Sequence, residues 1–259
     1  MSNVQKAFEN GKAFIAFLTA GDPCLEVTET LIPQMAEAGA DLIEIGIPFS
    51  DPVAEGPAIQ AADGRALASG TTTEKIFEMI ARVRKKTEVP LALMTYMNPV
   101  VVYGTERFAA KAAEAGVDAL IVPDVPYEEK GELTPYCKKY GLHLISMITP
   151  TSGERIEMIA REAEGFLYCV SSLGVTGVRS HITTDIDAMV AAARRVSEIP
   201  CAVGFGIATP EQAAEMSRCG DGVIVGSAIV NLIAEYGKDC AGPVCEYVRR
   251  MKHAVQGML

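Results

Sequence analysis

Three carboxylates fall within twelve residues of the stretch "EIGIPFSDPVAEGP": Glu44, Asp51 and Glu55. The first sits in an apolar run that reads as a buried strand, and the other two in a loop stiffened by Pro48, Pro52 and Pro57. In "DLIEIG" side-chain alternation puts Leu42, Glu44 and Gly46 on one face and Ile43 and Ile45 on the other. A carboxylate inside a strand either pairs with a base or carries protons. No Lys stands at the end of an apolar run here, and the nearest Arg by sequence is Arg65. An unpaired carboxyl in an apolar setting takes a raised pKa, which suits general acid–base chemistry. Asp51 reads first as a solvated loop acid. Glu55, just before the Gly-Pro of a helix start, also fits favourable placement at a helix N-terminus.

A second group of residues lies later in the chain. "SSLGVTG" (171–177), "GFGIATPEQ" (204–212) and "VGSAIV" (225–230) each follow or close an apolar run. Glycine lets backbone N–H groups approach an anion, and a helix opening at Gly226-Ser227 offers its positive end. Thr209-Pro210 reads as the N-cap and first position of another helix. Three such turns in this order imply a phosphate site. The chemistry is narrowed further by what is missing. No Lys lies at a strand mouth to form a Schiff base, the three histidines (143, 181 and 253) are scattered, and no cluster has metal-ligand spacing. Acid–base work by carboxylates on a small phosphorylated molecule remains, with Tyr96 or Tyr168 as candidate assisting hydroxyls.

The elements that must position these residues follow a repeat. "AEAGADLIEIG", "AEAGVDALIVPD" and "SRCGDGVIVGS" each run from helix end through Gly and a polar turn to an apolar strand. Gly39, Gly116, Gly141, Gly165 and Gly220 are expected just past helix ends, in the left-handed conformation. Eight strands are expected, at 13–19, 41–46, 90–96, 118–122, 143–148, 166–170, 200–204 and 222–226, with helical patterns between nearly all of them. Continuous Val/Ile/Leu runs alternating with helices imply parallel strands covered on the outside. The fold class is therefore α/β, a (β/α)8 TIM barrel, with one domain spanning 1–259. An open doubly wound sheet is the alternative, disfavoured by the absence of an early G-x-G-x-x-G. Barrel sites lie at the carboxyl ends of the strands, where both groups of residues fall.

Composition sets the outer limits. The chain has 259 residues, 49% of them hydrophobic, and a formal net charge of −10. That balance argues against nucleic-acid or anionic-membrane surfaces. Seven widely spaced cysteines without C-x-x-C suit reduced thiols better than disulfides or zinc. An N-terminus with no apolar signal core gives the expectation of a soluble, cytoplasmic protein.

The segments "LIEIGIPFSDPVAEGPAIQ", "FLTAGDP", "VPDVPYEE", "SSLGVTG", "GFGI" and "GSAIV" together closely resemble the tryptophan synthase alpha chain family, in uninterrupted order from about Phe14 to Lys252. The P-F-S-D-P loop is the most specific of them. The resemblance implies cleavage of indole-3-glycerol phosphate to indole and glyceraldehyde 3-phosphate. It assigns the proton-transferring carboxylate to Glu44, the carboxylate that holds the indole N–H to Glu55, and an assisting hydroxyl to Tyr168. Glu55 departs from the family's usual Asp, and the extra methylene extends its reach by ~1.5 Å.

Phosphate contacts carry over to Gly177, Gly206, Gly226 and Ser227. Phe17, Met94, Ile148, Thr176 and Phe205 match the indole pocket, with Met94 where Leu is expected. Pro123 stands where a small residue is common. Asp51, Pro52 and Asn98 match a surface facing a beta chain in an alpha2beta2 heterotetramer, and residues 178–184 match a lid. The resemblance implies no cofactor or metal for this chain, with pyridoxal phosphate held by the beta chain.

Overall fold

The computed structural model describes residues 3–171, 182–204 and 206–258. Nine parallel strands form one sheet: β1 (Ala13–Thr19), β2 (Leu42–Gly46), β3 (Leu91–Met94), β4 (Ala119–Ile121), β5 (His143–Leu144), β6 (Ser146–Ile148), β7 (Leu167–Val170), β8 (Cys201–Gly204) and β9 (Gly222–Val225). Their order is β5-β4-β3-β2-β1-β9-β8-β7-β6, so the two ends of the sheet are consecutive in the chain. Read this way, β5 and β6 are the two halves of the fifth strand of a (β/α)8 barrel. The break falls at Ile145, whose N–H still bonds the Leu120 carbonyl at 2.9 Å, while from Ser146 onward pairing passes to β7.

Alternation sorts the strand residues into two layers. Phe14, Ala16, Leu18, Ile43, Ile45, Leu93, Leu167 and Val203 pack outward against the helices. Ala13, Ile15, Leu42, Ala92, Ile121, Phe166, Tyr168 and Ile224 fill the barrel interior, with Val4 and Ala7 of the N-terminal segment joining them.

The recurring Asp of the sequence repeat has a structural task. Asp41, Asp118 and Asp221 each accept a backbone N–H at the start of a neighbouring strand, from Phe14, the second residue of β1 (2.6 Å), and from Leu91 (2.8 Å) and Cys201 (2.9 Å), the first residues of β3 and β8. Each is also met by a base, Lys252, Arg84 and Arg194 in turn. Buried backbone N–H groups at a strand's start need an acceptor, and these carboxylates supply one. They pin the amino-terminal rim and leave the other end for the site.

Gly116 and Gly141 adopt the expected left-handed conformation after their helices. Gly220 does not. Its backbone is extended at φ −131°, and the need for glycine is steric, because a Cβ would meet the Cys201 carbonyl at 2.7 Å. The third strand is also shorter than expected: it ends at Met94, Thr95 keeps one bond to the Ile121 carbonyl at 3.0 Å, and Tyr96 stands at the N-cap position of the helix Met97–Tyr103 without a side-chain cap bond.

Candidate active site

A cavity of about 340 Å³ opens at the carboxyl ends of the strands, lined by residues from β1, β2, β3, β6, β7 and β9 and from the loops and helices beyond them. Glu44 lies in its wall, delivered by the alternation of β2, and is 1% exposed. No hydrogen bond or ion pair reaches Glu44 from the described residues, and its Oε1 is enclosed without a partner. Arg65, the base nearest in sequence, is committed elsewhere. Its Nε and Nη2 both bond Asp22, each at 2.8 Å. Burial alone therefore acts on Glu44 and pushes its carboxyl up to about 8.

Glu55 reaches the same cavity from the loop after β2. That loop is held from two sides. Ala54 N–H donates to the Tyr96 hydroxyl at 3.0 Å, and Gln60 Nε2 donates to the Glu55 carbonyl at 2.8 Å. Burial, followed by the charge of Asp63, raises the Glu55 carboxyl to about 7, and its Oε2 is enclosed without a partner. Asp63 is itself 5% exposed and lifted to about 7, chiefly by burial. It lies on the helix Pro57–Ala68, which starts two residues after Glu55.

Tyr168 completes the group. It is buried, and burial together with the nearby Glu44 and Glu55 carboxyls holds its hydroxyl well above the usual range, so it stays a neutral donor. The ring is accommodated by Gly204, where a Cβ would lie 2.7 Å from the Tyr168 hydroxyl oxygen.

The opposite wall is receptive to anions. Gly206, Gly226, Ser227 and Ala228 line it, and Gly226 precedes the helix Ser227–Tyr236, whose first N–H groups have no intrahelical acceptor. The neighbouring helix Pro210–Cys219 is already capped, with Thr209 and Gln212 bonding each other's backbone. No Lys or Arg lines the cavity among the described residues. An anion here would be held by backbone dipoles rather than by a cation.

Of the expected indole-pocket residues, Phe17 and Met94 line the cavity. Ile148 does not. It is fully buried in the layer between sheet and helices, and Met147 lines the cavity in its place. The register pairs Met147 with Tyr168, and side chains alternate, so only Met147 shares the Tyr168 face. Counting alternation from Tyr168 rather than along the broken strand would have found it. Thr176, Gly177, Phe205 and His181 lie outside the described residues, as does the lid segment up to 181.

Ile59, Asp63 and Asn231 were not singled out by sequence. Their signal is helical spacing: Ile59 and Asp63 are four apart, and Asn231 is four beyond Ser227.

Asp51 and Asn98 are exposed and Pro52 is half-buried, all away from the cavity lining. The loop and helix that carry them also expose Val53 (79%), Val101 (56%) and Val102 (80%). Asp124 holds the start of that helix, accepting Met97 N–H at 3.0 Å.

An apolar cavity with unpaired carboxyls at the carboxyl-terminal mouth of a closed parallel sheet defines a (β/α)8-barrel enzyme. Comparison with known proteins gives the particular family. Residues 3–256 match the family model described as tryptophan synthase alpha chain. A tryptophan synthase alpha chain of Lactiplantibacillus plantarum is 50% identical over 258 residues, covering 99% of this chain and 97% of the relative. One of Citrifermentans bemidjiense is 51% identical over 246 residues, covering 94% and 92%. The crystal structure of tryptophan synthase subunit alpha from Legionella pneumophila superposes with a TM-score of 0.90 at 38% identity, covering 99% of both chains. The chain belongs to the tryptophan synthase alpha chain family. Its place is in tryptophan biosynthesis.

Proposed function

We propose that the chain cleaves indole-3-glycerol phosphate to indole and glyceraldehyde 3-phosphate, with Glu44 as the proton carrier. The observation that carries this reading is the isolation of Glu44, a buried carboxyl with an unpartnered oxygen in the wall of an apolar cavity. A carboxyl lifted to about 8 is protonated at neutral pH and can give its proton to C3 of the indole ring. Protonation at C3 places positive charge on the ring nitrogen. The Glu55 carboxylate would accept the N–H there and stabilise that charge.

The bond from C3 to the glycerol carbon then breaks, its electron pair restoring the aromatic ring. The hydroxyl on that carbon loses its proton and becomes the aldehyde. One proton enters at C3 and one leaves from oxygen, so a single carboxyl can serve both transfers, with the Tyr168 hydroxyl assisting beside it. Phe17, Met94 and Met147 would hold the indole. Gly206, Gly226 and Ser227, joined by Gly177, would hold the phosphate. Thr176 and Phe205 are further proposed contacts.

In this reading residues 1–259 form one barrel domain in the cytoplasm. The partner is a tryptophan synthase beta chain, in an alpha2beta2 assembly, docked over Asp51, Pro52 and Asn98. The exposed valines on the same elements support such a surface. Pyridoxal phosphate belongs to the beta chain, and no cofactor is assigned here.

The test is indole release from indole-3-glycerol phosphate, with and without a cognate beta chain, by the wild type and by Glu44→Gln. Turnover by the wild type and none by Glu44→Gln supports the reading. An active Glu44→Gln enzyme, or a wild type inactive in both settings, overturns it.

A further inference from the structure

The wall that would take the phosphate offers an anion few side chains. Glu44 and Glu55 line the same cavity, and among the described residues no Lys or Arg does. One side-chain N–H donor lines it among those residues, the amide of Asn231. No hydrogen bond from the described residues engages that amide. Gln212, on the neighbouring helix, is by contrast turned to its own cap, its Oε1 accepting the Ala208 and Thr209 N–H groups.

The helix Ser227–Tyr236 explains where the Asn231 amide points. It opens at Gly226, which supplies no side-chain cap, and its first intrahelical bond runs from Val230 N–H to the Gly226 carbonyl at 3.1 Å. The N–H groups of Ser227, Ala228 and Ile229 have no acceptor within the helix. Ile229 and Val230 then turn inward, Ile229 to the layer between sheet and helices and Val230 to Phe17 and Ala62. Asn231 returns to the cavity one turn beyond Ser227, on the same face. Side chains on a helix lean toward its amino end, so this amide reaches back over the turn with the free N–H groups. With two carboxyls in the cavity, an anion there depends on directed hydrogen bonds, and bonds to an ionised acceptor are the stronger kind.

We propose that Asn231 is a substrate-binding residue, donating its amide N–H to the phosphate of an alkyl phosphate monoester seated at the amino end of this helix. It thereby helps to set the preference for a phosphorylated substrate. The proposal rests on the reading of this wall as the phosphate site.

The test is calorimetric titration of the wild type, Asn231→Leu and Asn231→Asp with glycerol 3-phosphate and, separately, with inorganic phosphate. In Asn231→Leu the Kd for both probes should rise about tenfold, the effect of losing one hydrogen bond to a charged group. Asn231→Asp sets a carboxylate against the phosphate and should weaken binding further. The Kd for indole should stay the same in both variants, which separates a lost contact from a disturbed cavity. The KM for indole-3-glycerol phosphate should rise by the same factor in Asn231→Leu, with kcat kept. Unchanged phosphate affinity in Asn231→Leu overturns the proposal, and so does an equal loss of indole affinity. An acid limb of the pH profile displaced in that variant, with phosphate affinity unchanged, would assign the amide to Glu55 instead and overturn it as well. A wild type that binds neither probe removes the phosphate reading of the wall and this proposal together. An active Glu44→Gln enzyme removes only the role of Glu44 and leaves the titrations standing.

Discussion

The backbone N–H of Ala54 donates to the hydroxyl of Tyr96 at 3.0 Å, which anchors the loop presenting Glu55 to a residue two beyond β3. The Tyr96 ring also packs against Phe49, at the other end of that loop, with centroids 5.6 Å apart. Tyr96→Phe keeps the packing and removes the bond. Its net contribution to folding is about 1 kcal/mol, so stability should change little. The position of Glu55 should suffer more, with kcat/KM falling on the order of tenfold. Steady-state kinetics beside a thermal melt separates the two effects, and unchanged kinetics would show that the loop needs no anchor.

Glu55 titrates against Asp63. The Asp63 charge raises the Glu55 carboxyl, and Glu55 is needed ionised to hold the indole N–H. Activity should therefore rise with pH through about 7 on its acid limb. Asp63→Asn removes the neighbouring charge and should move that limb to lower pH. A pH profile of kcat/KM measures it, and a limb that stays in place would mean Asp63 is neutral there.

Burial of Glu44 ties stability to pH. Its folded carboxyl titrates at about 8, against 4.5 for a free glutamate, so between these values the native state holds a proton that the unfolded chain has lost. Stability is then full below about 4.5 and falls as pH rises toward 8, by an amount of order a few kcal/mol. Glu44→Gln cannot ionise and should lose this dependence. Urea melts at pH 5 and pH 8.5 should show the variant gaining on the wild type only at the higher value.

Gly204 leaves room for the Tyr168 hydroxyl. Gly204→Ala would set a Cβ 2.7 Å from that oxygen, so either Tyr168 or β8 must shift. Overpacking of this kind costs about 1–3 kcal/mol. A drop in kcat larger than the stability loss explains would place the Tyr168 hydroxyl at the reaction, and the companion Tyr168→Phe should reproduce it.

Neighbouring residues of β6 should behave oppositely. Ile148→Ala empties a fully buried outer position and should destabilise by about 2–5 kcal/mol with KM unchanged. Met147→Ala should raise KM for the indole substrate with a smaller loss of stability. The reverse pattern would mean that the fifth strand presents its other face.

The sequence alone carried the repeat of helix, glycine, aspartate and strand, because local periodicity and turn chemistry are written in adjacent residues. Asp41, Asp118 and Asp221 stand in that repeat, but their bonds to neighbouring strands, 20 to 27 residues away, show only in the fold. Glu44 was legible too, as a charged residue at an inward position of a strand. Tertiary structure alone decided that no described residue pairs with Glu44, since Arg65 turns to Asp22, forty-three residues away in the chain. It also decided that Asp63 charges the surroundings of Glu55, and that Met147 rather than Ile148 lines the cavity. The physical reason is that alternation and propensity depend on neighbours along the chain. Desolvation, ion pairing and cavity shape depend on neighbours in space.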